Sequence, residues 1–205
     1  RVPRQGVRVV QLKGGTSYSE RATHDYEIMR SFCEALCAEP RYLPLPAIFE
    51  DTATASIVRA DRAIARILEE GRGVDVAVFT VGAINEEALS LNLGQLDRGE
   101  VEALLRDAVG DACSRFFTRD GVVAAPAVDE RTVGIRLEEL RTRPVRVLVA
   151  GGRVKASALD TALRMGLATH LVVDQDLAAA LLERQGEASP SAGGQRRPPT
   201  DGNTC

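Results

Sequence analysis

Two apolar runs in this chain end in paired glycines. Val7 to Leu12 leads into Gly14-Gly15-Thr16-Ser17, and Val145 to Ala150 leads into Gly151-Gly152-Arg153-Val154-Lys155. Glycine lets backbone N–H groups approach an anion closely, and the N-terminus of a following helix adds roughly half a positive charge. Thr16 and Ser17 can donate hydroxyl hydrogen bonds, and Lys155 can place a full positive charge at the mouth. The shared preference is for a phosphate or a carboxylate. Neither loop has the P-loop spacing or the Rossmann glycine fingerprint, and tight βα turns use glycine on their own account. Lys155 therefore reads either as a solvated first-turn residue or as a ligand contact, and a cation at a helix N-terminus favours the second only if something pairs with it. Asp111, after Val109-Gly110, can accept sugar hydroxyls or serve as an ordinary turn aspartate. Gly82, in a loop after the VDVAVFT run, sits where a third strand end would reach the same crevice. No nucleophile elbow or Ser-His-Asp order is seen, and His24 and His170 have no visible partners, His170 reading as structural.

Composition narrows the classes. The 205 residues suit one compact domain, and 44% hydrophobic with 27% charged residues exclude disorder of the whole chain. A net charge of −3 does not suit a chain that grips a polyanion by itself. No apolar run is long enough for a bilayer and no signal peptide is visible, so a cytoplasmic, non-membrane protein is expected. The first residue is Arg1, as expected of a fragment whose start lies upstream. Lys13 and Lys155 are the only lysines among the 26 basic residues, which makes both worth locating. Tryptophan is absent and aromatics are 4%, so the core must be aliphatic. Four cysteines in a chain this large are no disulfide framework. Cys33 and Cys37 share one helix face, but a metal site would need two more placed ligands; small buried side chains is the simpler reading. No cofactor is expected.

The elements that must position these residues follow from periodicity. Val7–Leu12 reads as a strand, followed by a helix to about Glu39 that His24-Asp25 opens, with Ile28, Met29, Phe32 and Leu36 as its stripe. Arg41–Leu45 reads as a strand closed by Pro44 and Pro46. Asp51–Glu70 reads as one amphipathic helix ended by Gly71, with Arg59-Ala60-Asp61-Arg62 as a solvated, ion-paired face. Val74–Thr80 is a buried strand, and Glu86–Leu91 and Glu100–Asp107 are helical pieces. Val109-Gly110-Asp111 is a turn. Arg115–Thr118 and Val122–Ala127 form a hairpin about Asp120-Gly121, and Thr132–Ile135 is extended. Then come strand Val145–Ala150, helix Lys155–Met165 capped by Gly166, strand His170–Val173, and helix Leu177–Glu183 capped by Asp174. This β-α-β-α order predicts an α/β fold with a mainly parallel, Rossmann-like sheet and helices on both faces. Residues 1–184 form the domain. Residues 185–205, rich in Ser, Pro, Gly, Gln and Arg, read as a disordered tail.

A set of blocks now stands in order: Gln11-Leu12-Lys13-Gly14-Gly15-Thr16, Leu43-Pro44-Leu45-Pro46-Ala47, Asp107-Ala108-Val109-Gly110-Asp111 with Phe116-Phe117 and Asp120-Gly121, Thr132-Val133-Gly134-Ile135 with Leu137 to Arg141, and Ala150-Gly151-Gly152-Arg153-Val154-Lys155. Together they resemble the C-terminal sugar-binding domain of SorC/DeoR-type bacterial transcriptional regulators, over nearly all of Val7 to Leu182. The resemblance implies a NagB/RpiA/CoA-transferase-like fold, a phosphorylated sugar as effector, a homo-oligomer (dimer or tetramer), and an upstream helix-turn-helix through which alone DNA would be bound. It implies that Gly15, Thr16 and Ser17 cradle the phosphate and that Asp111 holds sugar hydroxyls. Lys155 would meet the anionic or carbonyl end of the ligand, and Pro46-Ala47 and Gly82 would line the pocket. Two departures stand out. Thr80-Val81-Gly82 replaces the common Gly-Ile-Gly, which changes a pocket wall. Glu86 to Leu96 contains no arginine, which disfavours a bisphosphate.

The function expected on this reading is a metabolite sensor without catalytic residues. The competing readings are an enzyme on the same fold, such as a sugar-phosphate isomerase or deaminase with Asp111 as base and Lys155 as electrophile, and an oligomerisation module with a decayed pocket.

Overall fold

A computed structural model describes residues 6–15 and 24–188. In chain order the elements are β1 (Arg8–Val10), α1 (Asp25–Leu36), β2 (Glu39–Arg41), α2 (Thr52–Ala60), α3 (Arg62–Arg72), β3 (Val76–Phe79), β4 (Val81–Ala83), α4 (Arg98–Asp107), β5 (Gly110–Ala112), β6 (Arg115–Phe117), α5 (Pro126–Glu130), α6 (Leu137–Arg141), β7 (Val145–Ala150), α7 (Ala156–Arg164), β8 (His170–Val173) and α8 (Gln175–Ala188). The fold is α/β, and its parallel strands fall in two groups, β1-β2 and β3-β7-β8. An antiparallel unit, β4-β5-β6, follows β3 directly.

The main core lies under one face of β3-β7-β8. Ala77, Phe79, Leu148 and Ala150 meet Ala158, Leu159 and Ala162 of α7 and Leu177 and Leu181 of α8. Small residues on α7 let it come close to the antiparallel unit: a Cβ on Gly110 would stand 2.5 Å from the Ala158 Cβ. Strands β7 and β8 run over the residues that periodicity predicts, because both are continuous apolar runs bounded by turn residues. Asp174 caps α8, accepting the Leu177 N–H at 2.8 Å.

Elsewhere local geometry corrects the sequence reading. The helix expected over Asp51–Glu70 is two helices broken at Asp61, whose extended backbone (φ −58, ψ 131) frees its carboxylate to accept the Ala63 and Ile64 N–H groups. Capping thus outweighs helical continuity there. The solvated-face reading of Arg59 to Arg62 falls with it, since Arg59 donates to the carbonyls of Glu130 and Thr132 across the fold. Gly71 does not end the helix. It is buried, where an added Cβ would stand 3.8 Å from the side chains of Leu12 and Val10, and Gly73 is the cap. Helix α1 ends at Leu36, not near Glu39, and Cys37 beyond it is left-handed (φ 53) and exposed while Cys33 is half-buried, so neither is a small buried core residue. The second strand is Glu39–Arg41, an edge strand that tolerates Pro40.

The turn assigned to Val109-Gly110-Asp111 and the loop assigned to Gly82 are strands, and Gly82 stands opposite Asp111 in the ladder. The β5-β6 hairpin turns at Cys113-Ser114, both with positive φ (54 and 60). That geometry normally draws Asn-Gly or Asp-Gly, and here two L-residues accept it inside a packed unit. Asp120-Gly121 makes a second, smaller reversal, with the Thr118 N–H on the Val122 carbonyl at 2.9 Å, and the expected return strand is only a bridge at Val123 before α5 begins. Helix α8 runs on through residues 185–188, which the sequence reading had given to the tail. Thr16, Ser17 and residues 189–205 lie outside the described residues.

Candidate functional site

Three strand tips meet at one end of the parallel strands. Lys13 follows β1, Thr80 follows β3, and the turn after β7 carries Lys155. Parallel strands present their carboxyl ends on one side, and that is where open α/β sheets bind ligands. The Lys155 Nζ lies 3.4 Å from the Thr80 Oγ1. Lys13 donates to the Gly14 carbonyl at 3.1 Å.

Asp111 sits at the centre. It is buried, 9% exposed, in the middle of β5. Burial pushes its carboxyl above the ordinary range. The Ser90 hydroxyl, the charge of Lys13, the Ser114 backbone N–H and the charge of Lys155 oppose that shift in decreasing order. The two lysines of the chain therefore bear on one carboxylate. Gly82 is required beside it: a Cβ there would come within 2.2 Å of the Asp111 Oδ1. The neighbouring Cys113 is half-buried, and desolvation raises its thiol pKa to about 11, so it stays a neutral thiol.

The glycine pairs have more structural work than their anion-binding reading assumed. Gly14 is buried and its N–H donates to the Val133 carbonyl at 3.1 Å. A Cβ there would strike the Pro46 carbonyl oxygen at 2.3 Å, so Gly14 lets the Pro46-Ala47 loop lie against β1's end. Gly15 is packed against Asp25 and Gln11. Gly152 donates its N–H to the Asp174 Oδ2 at 2.7 Å, and a Cβ on Gly151 would stand 2.7 Å from the same oxygen. Two of the amides expected to face an anion thus already have protein acceptors. Lys155 closes a single 3-10 turn, Arg153–Lys155, and is also the N-cap residue of α7, so its charge stands at a helix N-terminus as the sequence reading expected.

The structure brings together Gly14 with Pro46, Gly82 with Asp111, and Lys155 with Thr80. Sequence reasoning missed Lys13, Thr80 and Ser90. The scarcity of lysine was a signal for the first. Thr80 stands where the chain departs from Gly-Ile-Gly, and it brings a hydroxyl to Lys155 that glycine lacks. A cavity of about 760 Å³ opens beside this cluster, with Lys13, Thr80 and Cys113 at that end. Chemically the cluster offers two ammonium groups, hydroxyls, and a buried carboxylate able to accept hydroxyl hydrogen bonds. That donor set suits a polyol carrying an anionic group.

Comparison with known proteins agrees with this reading of the fold. The family model described as "Putative sugar-binding domain" matches residues 1–183. The Deoxyribonucleoside regulator of Bacillus subtilis (strain 168) is 43% identical over 178 residues, covering 87% of this chain and 57% of that protein. The chain thus spans little more than half the length of this curated relative. The solved domain of a possible sugar-binding transcriptional regulator from Arthrobacter aurescens TC1 is 32% identical, with a TM-score of 0.76 over 85% of this chain and 68% of that one. The full-length Sorbitol Operon Regulator SorC from Klebsiella pneumoniae shares the fold at 23% identity, with a TM-score of 0.78 over 89% of this chain and 60% of that one. The resemblance carried by the blocks from Gln11 to Lys155 is borne out, and the chain belongs to the sugar-binding domain family of SorC- and DeoR-type bacterial transcriptional regulators.

Proposed function

We propose that this domain senses a phosphorylated sugar for a cytoplasmic transcriptional regulator and passes the signal to an attached DNA-binding domain through a homo-oligomer. The observation that carries the reading is the convergence of Lys13 and Lys155 on the buried Asp111. Asp111 and Ser90 hold ligand hydroxyls, Lys155 and Lys13 hold the anionic end, and Gly82 keeps the carboxylate in reach. Gly15, Thr16 and Ser17 extend the anion cradle, and Pro46-Ala47 and the Gly151-Gly152 turn close the wall. The ligand shifts DNA affinity by as much as it prefers one arrangement of the subunits, about 1–3 kcal/mol.

The enzyme reading is the weaker one. An isomerase or deaminase needs a second proton carrier beside the base. The groups that act most on Asp111 are a hydroxyl, an amide and two ammoniums, a set that suits orienting a bound ligand. The named relatives are regulators.

The test is a thermal-shift panel of sugars and their phosphates, run on the polypeptide encoded by the complete gene. The cognate phosphosugar at about 100 times its Kd adds roughly 2.7 kcal/mol, with no turnover. Lys155→Ala removes a charge-assisted hydrogen bond and weakens binding by roughly 10–100-fold. An equal response to the free sugar, or a Lys155→Ala protein that responds like the parent, overturns the assignment.

A further inference from the structure

The tips of β7 and β8 lie side by side. Ala150 and Val173 are their last paired residues, so Gly151 and Asp174 come next on the two strands. The Asp174 carboxylate uses both of its oxygens there. Its Oδ1 accepts the Leu177 N–H at 2.8 Å and opens α8, while its Oδ2 accepts the Gly152 N–H at 2.7 Å. A helix cap needs only the first of these bonds. The second reaches out of the helix to the turn that carries Lys155. Both glycines make room for it. An added Cβ on Gly151 would stand 2.7 Å from the same oxygen, and Gly152 has φ +88, which an L side chain resists.

From Gly152 the path to Lys155 is short. The Lys155 N–H donates to the Gly152 carbonyl at 3.1 Å and closes the turn. Gly152 is therefore held at its N–H by Asp174 and at its carbonyl by Lys155. The far end of the tie is anchored in the core, where Leu177 is fully buried and Ala180 and Leu181 are buried in the cluster that holds Leu148 and Leu159. A second link joins the same two elements, Arg153 to Glu183, but its side chains are 55% and 60% exposed, and exposed ion pairs contribute little. Asp174 is the stronger tie. A lysine side chain has many rotamers, so where its ammonium arrives depends first on how firmly its backbone is held. The Gly152 amide is occupied by Asp174, so this turn offers an anion its lysine rather than that N–H.

We propose that Asp174 is a positioning residue of the effector site: its carboxylate fixes the turn that carries Lys155 by tying it to the buried helix α8. The tie works in both directions. An anion seated on Lys155 restrains the turn, and α8 is restrained with it, by the same free energy with which an ordered α8 favours the seated anion. Helix α8 is then the element through which occupancy of the site is felt beyond the ligand's own surroundings. The fixing of Lys155 needs no ligand; the effect on α8 rests on the reading that Lys155 holds the effector's anionic end.

Lys13 and Lys155 are the only lysines of these 205 residues, so isotopic labelling of lysine nitrogen gives a sparse NMR spectrum. On the polypeptide from the complete gene, the Lys155 amide is the signal that Lys155→Arg removes. Asp174→Ser keeps one side-chain oxygen for the cap and gives up Gly152. It is expected to melt within about 2 °C of the parent. Its Lys155 amide is expected to exchange with solvent about tenfold faster, with the Lys13 signal in place. Asp174→Asn, which can accept from only one of the two N–H groups, is expected to do the same and is read instead if the serine variant does not fold. Inorganic phosphate, the group that all phosphosugars share, is then added. In the parent it is expected to shift the Lys155 signal and slow exchange of the α8 amides. Asp174→Ser is expected to need about tenfold more phosphate and to leave α8 unchanged. A serine variant whose Lys155 exchange or phosphate response equals the parent's overturns the inference. A parent whose Lys155 signal ignores phosphate counts against the effector site and the effect on α8, while the ligand-free signals still decide whether Asp174 holds the turn.

Discussion

Helices α1 and α7 each follow a parallel strand and a glycine pair, yet they are built to different standards. Helix α7 buries Ala156, Ala158, Leu159, Thr161 and Ala162. Helix α1 buries only Met29 and leaves Tyr26, Ile28 and Phe32 exposed. The sequences explain part of this. Alanines on α7 let backbones approach, and the Gly110 notch receives Ala158. The stripe of α1 is larger, and Ile28, Met29, Phe32 and Leu36 line the open cavity. An amphipathic stripe therefore states how much surface a helix needs to cover, not whether this chain covers it. Stability should follow the same division, with the half around β7-α7-β8 and the antiparallel unit dominant.

The largest effect that sharpens the contrast lies at Arg115, on the well-built side. Its guanidinium is 3% exposed and donates to the Asp129 carboxylate at 2.7 Å and to the carbonyls of Ile135, Asp129 and Thr132 at 2.8–3.0 Å. Arg115→Met removes those hydrogen bonds and leaves the mostly buried Asp129 carboxylate with the longer Arg136 contact at 3.8 Å, and urea unfolding should show a loss of about 3–5 kcal/mol. Leu159→Ala comes next, with about 2–5 kcal/mol lost from a fully buried site. Phe32→Ala on α1 is expected to cost less than about 1 kcal/mol in this chain. Similar costs for Leu159→Ala and Phe32→Ala in the same urea series would break the comparison.

Asp111 supplies a smaller effect of opposite sign. Its folded pKa is raised above the ordinary carboxylate value, chiefly by burial. The folded state therefore holds the proton more tightly than the unfolded chain. The ligand-free domain is most stable below the unfolded value and loses stability as pH rises toward and through the raised folded pKa. Asp111→Asn should flatten that dependence above the ordinary carboxylate value and stabilise the ligand-free protein at neutral pH, while abolishing the response to ligand. Melting curves across pH with and without phosphosugar measure both. A parent whose stability rises over that window would contradict the burial account.

Much of the site was legible as residue types. Gly82, Asp111 and Lys155 stood out by position after apolar runs or beside glycine, and they do gather. Their mechanical roles were not legible. Gly82 was needed because a carboxylate across the ladder leaves no room for a Cβ, and that neighbour comes from 29 residues further along the chain. Gly152 looked like an anion donor until Asp174 took its amide. Ser90 gave no signal and Thr80 only a departure from Gly-Ile-Gly, because a hydroxyl is informative only once its partner is known.

The sequence by itself determined the α/β class, the strands Val145–Ala150 and His170–Val173, the Asp174 cap and the family blocks. These rest on hydrophobic periodicity and short-range hydrogen bonds, which act within a few residues. Tertiary structure alone decided that Asp111 lies in a buried strand rather than a turn, that Asp61 splits a helix, and that both lysines face one carboxylate. Those outcomes depend on pairing between distant segments, whose free energy no local pattern records.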